Sequence, residues 1–471
     1  MRMNDASEEC ARDSLSMPTT DESAAEMKSR PTRQLMGRLV YAASGVSLLS
    51  IIGQLTVVAS IPLLTRLYSP SDFGVFTIYL GIVNILAAAA ALRLNVSLYV
   101  VGEQAYAAFK LVIVTIASTS MLTAGAGVLL ASSAPERLLA LVYLVPIGMA
   151  TTGIVDALNC WSLSRGRLRD FAIGRLVAPV FMALSQVSFG LLQWGGDSMV
   201  LAHILSQLVL IGFLSIRVFT WNEVCRVTRV PWKDLMAVAR GEYKFPLFDL
   251  PGTILNFGII NLPAILIGSL FGTSMAGHFG VAARLFSSPI SLVALPLSNV
   301  FVSEATKGNE RCKSEHSYKS GVFLVLLAGA LITLPALAIG AAAPYFVGPL
   351  LGPDWISTGN LMTALALTGA AQALSTPVQE VPSLLRRQGL GLIIDSVRAL
   401  LVFAPILLGV SGKWDPLHII YAMSAGGAIG YLLRTAVSLL LLRGASNRNG
   451  VAAPKPVHHL GLIRTETGEV A

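Results

Sequence analysis

Charged residues are scarce in this sequence: Asp, Glu, Lys and Arg together make up 13% of its 471 residues. A soluble globular domain usually carries about 25% charged residues. Hydrophobic residues reach 54% of the chain, and the mean hydropathy is +0.68. This composition excludes an ordinary soluble protein. It predicts a polytopic membrane protein, whose helices associate through close packing and polar contacts within the lipid.

The sequence also lacks the motifs of the common enzyme classes. It contains no GxSxG, Walker A or HExxH motif, and no pair of carboxylates at the spacing of a glycosidase. Its four cysteines form neither a CxxC pair nor a set of Cys and His ligands at metal-site spacing. The predicted external loops are too short to hold an active-site domain. We therefore expect neither an enzyme nor a cofactor or metal site.

Long apolar runs dominate the sequence instead. A helix needs about 20 residues to cross the hydrocarbon of a bilayer. Twelve runs of suitable length lie near residues 39–64, 73–92, 108–131, 138–160, 171–192, 198–218, 248–270, 275–303, 320–346, 357–379, 389–411 and 416–442. The predicted fold class is therefore an all-α polytopic membrane protein with about 12 transmembrane helices.

Basic residues set the predicted orientation. Most of the 34 Lys and Arg residues fall in the tails and in the loops on one side of the predicted helices. Because basic loops face the cytoplasm, we expect both termini to be cytoplasmic. Cys10, Cys160, Cys225 and Cys312 fall on this same side, so no external disulfide is predicted. The net charge of +8 is explained by this topology, and a nucleic-acid partner is not expected.

A long basic segment divides the apolar runs six and six. The sequence predicts a disordered cytoplasmic tail at 1–38, an N-terminal six-helix lobe at 39–218, a basic cytoplasmic linker at 219–247, a C-terminal six-helix lobe at 248–442 and a second cytoplasmic tail at 443–471. An even number of helices in each lobe gives both lobes the same orientation. We therefore expect lobes related by a pseudo-two-fold axis along the membrane normal.

Arg284, in the eighth apolar run, is the strongest candidate for a functional residue. An arginine at the centre of a bilayer costs about 2.5–3.5 kcal/mol on insertion scales, so it normally faces protein or water. Pro263, Pro289 and Pro296 interrupt backbone hydrogen bonds in the same region, which favours a position beside other helices or a cavity. A structural pairing of Arg284 with a helix dipole or with carbonyls is the alternative.

Other polar residues fall within predicted spans. Asp395 and Arg398 are three residues apart, share a helix face and could neutralise each other, although a counter-ion or proton-linked role is also open. Arg434 either lines a cavity or extends toward the cytoplasm. Asn84 and Asn256 either line a cavity or form hydrogen bonds between helices. Three arginines therefore lie within predicted transmembrane helices. We count Asp395 as the single carboxylate there, so cations outnumber anions in these helices.

Four short motifs, spread over most of the chain, carry a family resemblance. The first runs from Leu64 to Phe76 (LTRLYSPSDFGVF), with an arginine and then Ser-Pro-x-Asp-Phe-Gly between the first two helices. The others are Phe245-Pro246, Gly280 to Leu285 (GVAARL) and Leu351 to Trp355 (LGPDW). With these motifs the sequence resembles the polysaccharide-export flippases, the O-antigen and exopolysaccharide translocases of the multidrug/oligosaccharidyl-lipid/polysaccharide exporter superfamily. Phe279 departs from the tyrosine that is usual in the family.

The resemblance implies two six-helix lobes around a central cavity in a bacterial cytoplasmic membrane. Such proteins flip undecaprenyl-pyrophosphate-linked oligosaccharide to the outer leaflet by alternating access. Arginine suits this substrate because its guanidinium binds phosphate oxygens bidentately. The predicted cavity residues are Arg284, Arg398, Asp395, Arg434, Asn84 and Asn256. The expected partners are the lipid-linked oligosaccharide and the bilayer, with polysaccharide polymerase or export machinery as further candidates, and the coupling ion stays open.

Two functions other than flipping remain open on the sequence. A multidrug extruder shares the fold but would favour carboxylates in its cavity, whereas arginines predominate here. A non-transporting scaffold of a polysaccharide assembly complex is the second alternative. A major-facilitator porter is disfavoured, because the segment that starts at Arg93 (RLNVSLYV) lacks that family's motif after the second helix.

Overall fold

The computed structural model describes residues 48–99, 101–130, 136–286, 298, 321–385 and 387–447. Within these ranges the chain forms helices and no strand, which confirms the predicted all-α class. Eleven helices of this part of the chain are long and apolar enough to span a membrane. Of the eighth predicted run, 275–303, the structure describes a helix over 273–286 and residue 298. The predicted tail at 1–38 and most of the second tail lie outside the described residues.

The helices are numbered in chain order. The first half contains α1 (Leu48–Leu67), α2 (Pro70–Ala90), α3 (Ala105–Leu130), α4 (Glu136–Ser164), α5 (Leu168–Leu191) and α6 (Asp197–Val218). The connecting segment contains α7 (Trp221–Arg229) and α8 (Trp232–Gly241). The second half contains α9 (Leu250–Phe271), α10 (273–286), α11 (Gly321–Leu351), α12 (Ile356–Ser375), α13 (Val381–Leu384), α14 (Gln388–Ser411) and α15 (Pro416–Asn447).

Helix α2 begins at a capping box, which gives the Ser-Pro-Ser-Asp sequence a local structural role. The hydroxyl of Ser69 accepts a hydrogen bond from the backbone N–H of Asp72, and the Asp72 carboxylate accepts one from the backbone N–H of Ser69 at 3.0 Å. Pro70 occupies the first turn, where its missing N–H is not needed. This cap fixes where α2 starts and directs Phe73 into the core, where its side chain is 1% exposed.

Most helix packing lies within each half, and α2 packs across the halves against both α9 and α10. In the first half α2, α3, α5 and α6 pack around α4, and in the second half α11 and α15 pack on α12 while α14 packs on α15. Helix α9 contacts α14 of its own half and also α2 of the first half. The α2–α9 pair is thus a direct connection between the halves.

The halves approach most closely at the ends of α2, α9 and α10 that are predicted to be external. A Cβ atom on Gly74 of α2 would collide with the backbone carbonyl of Thr273, and one on Gly277 would collide with that of Pro70. Small residues allow helix backbones to approach closely within a membrane. These two glycines therefore make possible the backbone contact that closes this side.

An aromatic cluster next to this contact joins the halves a second time. Trp355, just before α12, donates a hydrogen bond from Nε1 to the backbone carbonyl of Thr65 at the end of α1, at 2.9 Å. Its ring meets that of Phe73 edge-on, with 5.0 Å between centroids, and that of His278 at 5.4 Å. Trp355 is 1% exposed, so the hydrogen bond is shielded from water.

The segment predicted as a basic linker, 219–247, is folded. Thr220 and Glu223 form a capping box at the start of α7, and the backbone N–H of Thr220 lowers the pKa of the Glu223 carboxyl by donating to it. Lys110 of α3 donates to the backbone carbonyls of Thr228 and Val230, at 2.9 and 2.8 Å. The segment is thereby attached to the end of the first half. At the other end of the chain, α15 continues to Asn447, past residue 443, where the second tail is predicted to begin.

Candidate functional site

Arg284 lies where the two halves of the chain meet. It projects from α10, and its guanidinium carbon is 4.7 Å from the centroid of the Phe76 ring on α2. A guanidinium over an aromatic face is stabilised by about 0.5–2 kcal/mol. Within the described ranges, no carboxylate forms an ion pair with Arg284. An aromatic ring of the opposite half therefore holds this cation without neutralising it.

The sequence around Arg284 explains its position. Gly280 lies one turn earlier on α10, and a Cβ there would collide with the hydroxyl of Thr77 on α2. Val281 and Ala282 are fully buried. The Gly-Val-Ala-Ala-Arg sequence thus presses α10 against α2 and carries the guanidinium to Phe76, the neighbour of Thr77.

A histidine of the first half completes the surroundings of Phe76. The ring of His203, on α6, lies 6.5 Å from that of Phe76. Its nitrogens face the Tyr79 hydroxyl at 3.3 Å and the Gln207 amide at 3.2 Å. His203 is thus a hydrogen-bonded, buried residue next to the aromatic ring that Arg284 contacts.

A second polar cluster lies wholly within the second half. Asp395 and Arg398 come from α14, Arg434 from α15 and Asn256 from α9. The Oδ1 atom of Asp395 accepts a hydrogen bond from Nη1 of Arg434 at 2.6 Å and lies 3.7 Å from Nη2 of Arg398. Arg398 in turn donates to the side-chain oxygen of Asn256 at 3.1 Å. Four of the six predicted site residues are therefore brought together.

The partners in this cluster differ from the simplest reading of the sequence. Asp395 lies closer to Arg434 than to Arg398, its neighbour one turn away, because α15 packs directly on α14. Arg434 also donates to the backbone carbonyl of Gln379, which follows α12 on the side predicted to be cytoplasmic, at 3.2 Å. The guanidinium of Arg398 instead lies over the ring of Tyr431, 4.7 Å from its centroid.

Asn84 lies apart from both arginine sites. Its side-chain amide donates to the side-chain oxygen of Asn261 at 3.1 Å, which links α2 to α9 across the halves. The sequence left Asn84 either as a cavity residue or as a partner in a hydrogen bond between helices, and Asn261 was not among the predicted cavity residues. An asparagine in each of two apolar runs indicates that the two side chains could form a hydrogen bond. The sequence does not show which asparagines face each other.

A further charged group occurs in the first half. Asp156 lies in the span Ala140–Ser164 of α4, so the sequence-based count of Asp395 as the single carboxylate within a span is wrong. Its side chain is exposed, and Arg175 and Arg93 are the cations that interact with it electrostatically. Asp156 could have been found from the sequence, because it is an acidic residue within the predicted apolar run 138–160.

Arg93 connects the ends of α2 and α9 that are predicted to be cytoplasmic. It donates from Nε to the carboxylate of Asp249 at 2.7 Å. Leu92 and Arg93 both adopt positive φ angles, 48° and 61°, a conformation that costs non-glycine residues about 1–3 kcal/mol each. This strained turn ends the helical course of α2 and directs Arg93 toward the second half.

Comparison with solved structures identifies the fold. An inward-facing multidrug resistance MATE family transporter of the MOP superfamily aligns with a TM-score of 0.57 at 15% identity, covering 86% of this chain and 96% of that one. The lipid II flippase MurJ, in an inward closed conformation, aligns with a TM-score of 0.57 at 12% identity, covering 86% of this chain and 90% of that one. At these identities the similarity shows a shared fold.

Sequence comparison identifies the family. The chain is 22% identical over 143 residues to the amylovoran biosynthesis protein AmsL of Erwinia amylovora, across 29% of this chain. The match spans 36% of that curated relative's length. The family described as "Polysaccharide biosynthesis protein" matches residues 63–359, which is more than half of the chain and includes the Leu64–Phe76 motif and Arg284. This protein therefore belongs to the polysaccharide biosynthesis protein family.

Proposed function

We propose that this protein translocates undecaprenyl-pyrophosphate-linked oligosaccharide across the bacterial cytoplasmic membrane by alternating access. Membership of the polysaccharide biosynthesis family and the fold shared with a lipid II flippase support this class of substrate. The observation that carries the proposal is Arg284, a cation without a carboxylate partner among the described residues, held between the halves by Phe76.

The chemistry of Arg284 fits a pyrophosphate in transit. A pyrophosphate that crosses the low-dielectric centre of a membrane requires cationic partners, and a planar guanidinium binds two phosphate oxygens at once. An arginine already neutralised by a carboxylate would have to break that ion pair first. The contact of Arg284 with an aromatic face leaves its N–H donors free of this competition.

The contacts between the halves support alternating access. On the side predicted to be external, the halves are joined by the Gly74–Thr273 contact and by the Trp355–Thr65 hydrogen bond. Both contacts have to break before a substrate can leave on that side. With both termini cytoplasmic, as the basic loops predict, this arrangement corresponds to a transporter that is closed to the outside.

The test is transport by Arg284 variants. The protein is reconstituted in vesicles with a fluorescent prenyl-pyrophosphate oligosaccharide, and a reductant outside the vesicles reports the rate at which labels change leaflet. Loss of one charge-assisted contact, about 1.5–3 kcal/mol, should slow Arg284→Ala by tenfold or more per inserted protein. Arg284→Lys should retain part of the rate, because the charge remains but the bidentate geometry is lost.

Arg240→Ala is the matched control, because Arg240 is an exposed arginine of α8, outside the proposed path. It should transport like the wild type. An Arg284→Ala protein that flips at the wild-type rate would remove Arg284 from the path. Extrusion of cationic drugs in place of the lipid-linked sugar would favour a multidrug extruder, and transport of neither would favour a scaffold in the assembly complex.

A further inference from the structure

The polar cluster of the second half carries an excess of positive charge. Two guanidinium groups, of Arg398 and Arg434, share the single carboxylate of Asp395. Their other polar partners, the Asn256 side chain and the Gln379 carbonyl, are neutral. In the part of the chain that the structure describes, one positive charge of the cluster is thus left without a counter-charge. An uncompensated buried charge is strongly unfavourable unless an anion joins it.

The same two arginines have unused hydrogen-bond donors. The Nε atom of each is buried and has no partner among the described residues. Arg398 as a whole is 4% exposed, so water does not freely satisfy its remaining donor. Buried donors in proteins are nearly always paired. Among the described residues with an unpaired buried polar atom, Arg398 and Arg434 are the two that carry a charge.

A cavity lies directly beside this cluster. It has a volume of about 200 Å³ and is lined by residues of α9, α10, α12, α14 and α15. Arg398, Gln372 and Thr368 supply its polar lining. The remaining wall is mostly apolar and includes Ile259, Phe279, Phe286, Val402 and Met423. A single cation at a mostly apolar cavity matches a ligand with an anionic head and a hydrocarbon body.

Arg398 is held in place by the packing of α14 on α15. A Cβ atom on Gly430 would lie 2.5 Å from Cγ of Arg398, so the side-chain stem fills the space that this glycine leaves. The Tyr431 ring and the Asn256 oxygen fix the guanidinium at its other end. The cation is therefore preorganised, which reduces the entropy lost when a ligand binds.

We propose that this cavity binds a phosphate group carried on an isoprenoid chain, with the phosphate at Arg398 and the first isoprenoid units against the apolar wall. This inference rests on the proposed function, because the lipid-linked substrate supplies both parts. Ala283 lines the cavity and immediately precedes Arg284. The cavity is therefore a second anion subsite, adjacent to the Arg284 site but inside the second half.

The test is direct binding to the purified full-length protein, measured by titration calorimetry with geranyl phosphate. Geraniol lacks the charge and inorganic phosphate lacks the chain, so these two probes separate the contributions. Geranyl phosphate should bind at least about tenfold more tightly than either. Equal affinity for geraniol would overturn the role of Arg398, and equal affinity for inorganic phosphate would overturn the isoprenoid ligand.

Two variants probe the two ends of the cavity. Arg398→Gln removes the charge and should weaken binding of geranyl phosphate by about tenfold or more. Val402→Phe fills the apolar wall without a change in charge and should weaken it as well, which keeps the proposal testable if Arg398→Gln does not fold. Arg240→Ala is the control and should bind like the wild type. Wild-type affinity in both cavity variants would refute the site.

This binding experiment is independent of flipping. A protein that binds geranyl phosphate through Arg398 but does not translocate the lipid-linked sugar would retain the subsite and disprove the proposed function. A protein that flips the substrate but does not bind geranyl phosphate would disprove the subsite and retain the proposed function.

Discussion

Trp355→Phe is expected to weaken the closure between the halves on the side predicted to be external. The indole Nε1 of Trp355 donates to the Thr65 carbonyl at 2.9 Å, and phenylalanine keeps most of the ring but cannot donate. The ring contacts with Phe73 and His278 should largely remain. The substitution thus removes one hydrogen bond between the halves, together with the packing of the pyrrole part of the indole.

The size of the effect follows from burial. Trp355 is 1% exposed and Thr65 is 6% exposed, so the abandoned carbonyl has little access to water in the closed state. A buried acceptor left without its donor costs about 1–3 kcal/mol. In an externally open state both groups are already separated, and the cost disappears. The ratio of open to closed protein should therefore rise by about 5- to 150-fold.

The assay is a distance measurement between spin labels on opposite halves. Leu192 and Asp415, exposed residues next to α5 and α15, are replaced by labelled cysteines in a background without the native cysteines. Trp355→Phe should increase the share of long distances. Trp414→Phe is the matched control, because Trp414 is half exposed, at 48%, and should leave the distribution unchanged.

An unchanged distance distribution in Trp355→Phe would refute this reasoning. It would mean that the hydrogen bond contributes nothing to the difference in free energy between the two states. A loss of folded protein, seen as a lower unfolding temperature without longer distances, would show that Trp355 stabilises the fold and not the closure.

Two more contacts between the halves give predictions. Arg93→Glu should separate the halves on the side predicted to be cytoplasmic, and adding Asp249→Arg should restore the wild-type distance between them. The two side chains are 30% and 47% exposed, so the ion pair is worth about 0.2–1 kcal/mol. The ratio of open to closed protein on that side should therefore change by no more than about fivefold. A variant pair that is not restored by the swap would argue against this ion pair. Gly74→Ala should lower the unfolding temperature or open the external side, because its Cβ would collide with the Thr273 carbonyl. Gly258→Ala, on α9, meets no atom within 4 Å and should be neutral or slightly stabilising, since alanine favours a helix by about 1 kcal/mol over glycine; equal effects at the two glycines would contradict the packing argument.

Features that depend on local physics could be predicted from the amino-acid sequence alone. Long apolar runs must form helices in lipid, because no water is present to satisfy the backbone, and this predicted the all-α class. The Ser-Pro-Ser-Asp segment fixes the start of α2 through bonds within four residues. Arg284 stood out because a charge within an apolar run is costly wherever the helix lies. Family membership was also readable, since the motifs are contiguous.

The choice of polar partners was decided by the tertiary structure. Asn84 pairs with Asn261, Arg434 with Asp395, and Trp355 with Thr65, 290 residues away. A membrane helix that is apolar on all sides has no amphipathic period to indicate which face meets which neighbour. Helix rotation and pairing are set instead by glycine contacts such as Gly280 on Thr77 and Gly430 on Arg398. These contacts bring Arg284 to the opposite half and enclose Arg398 beside its cavity.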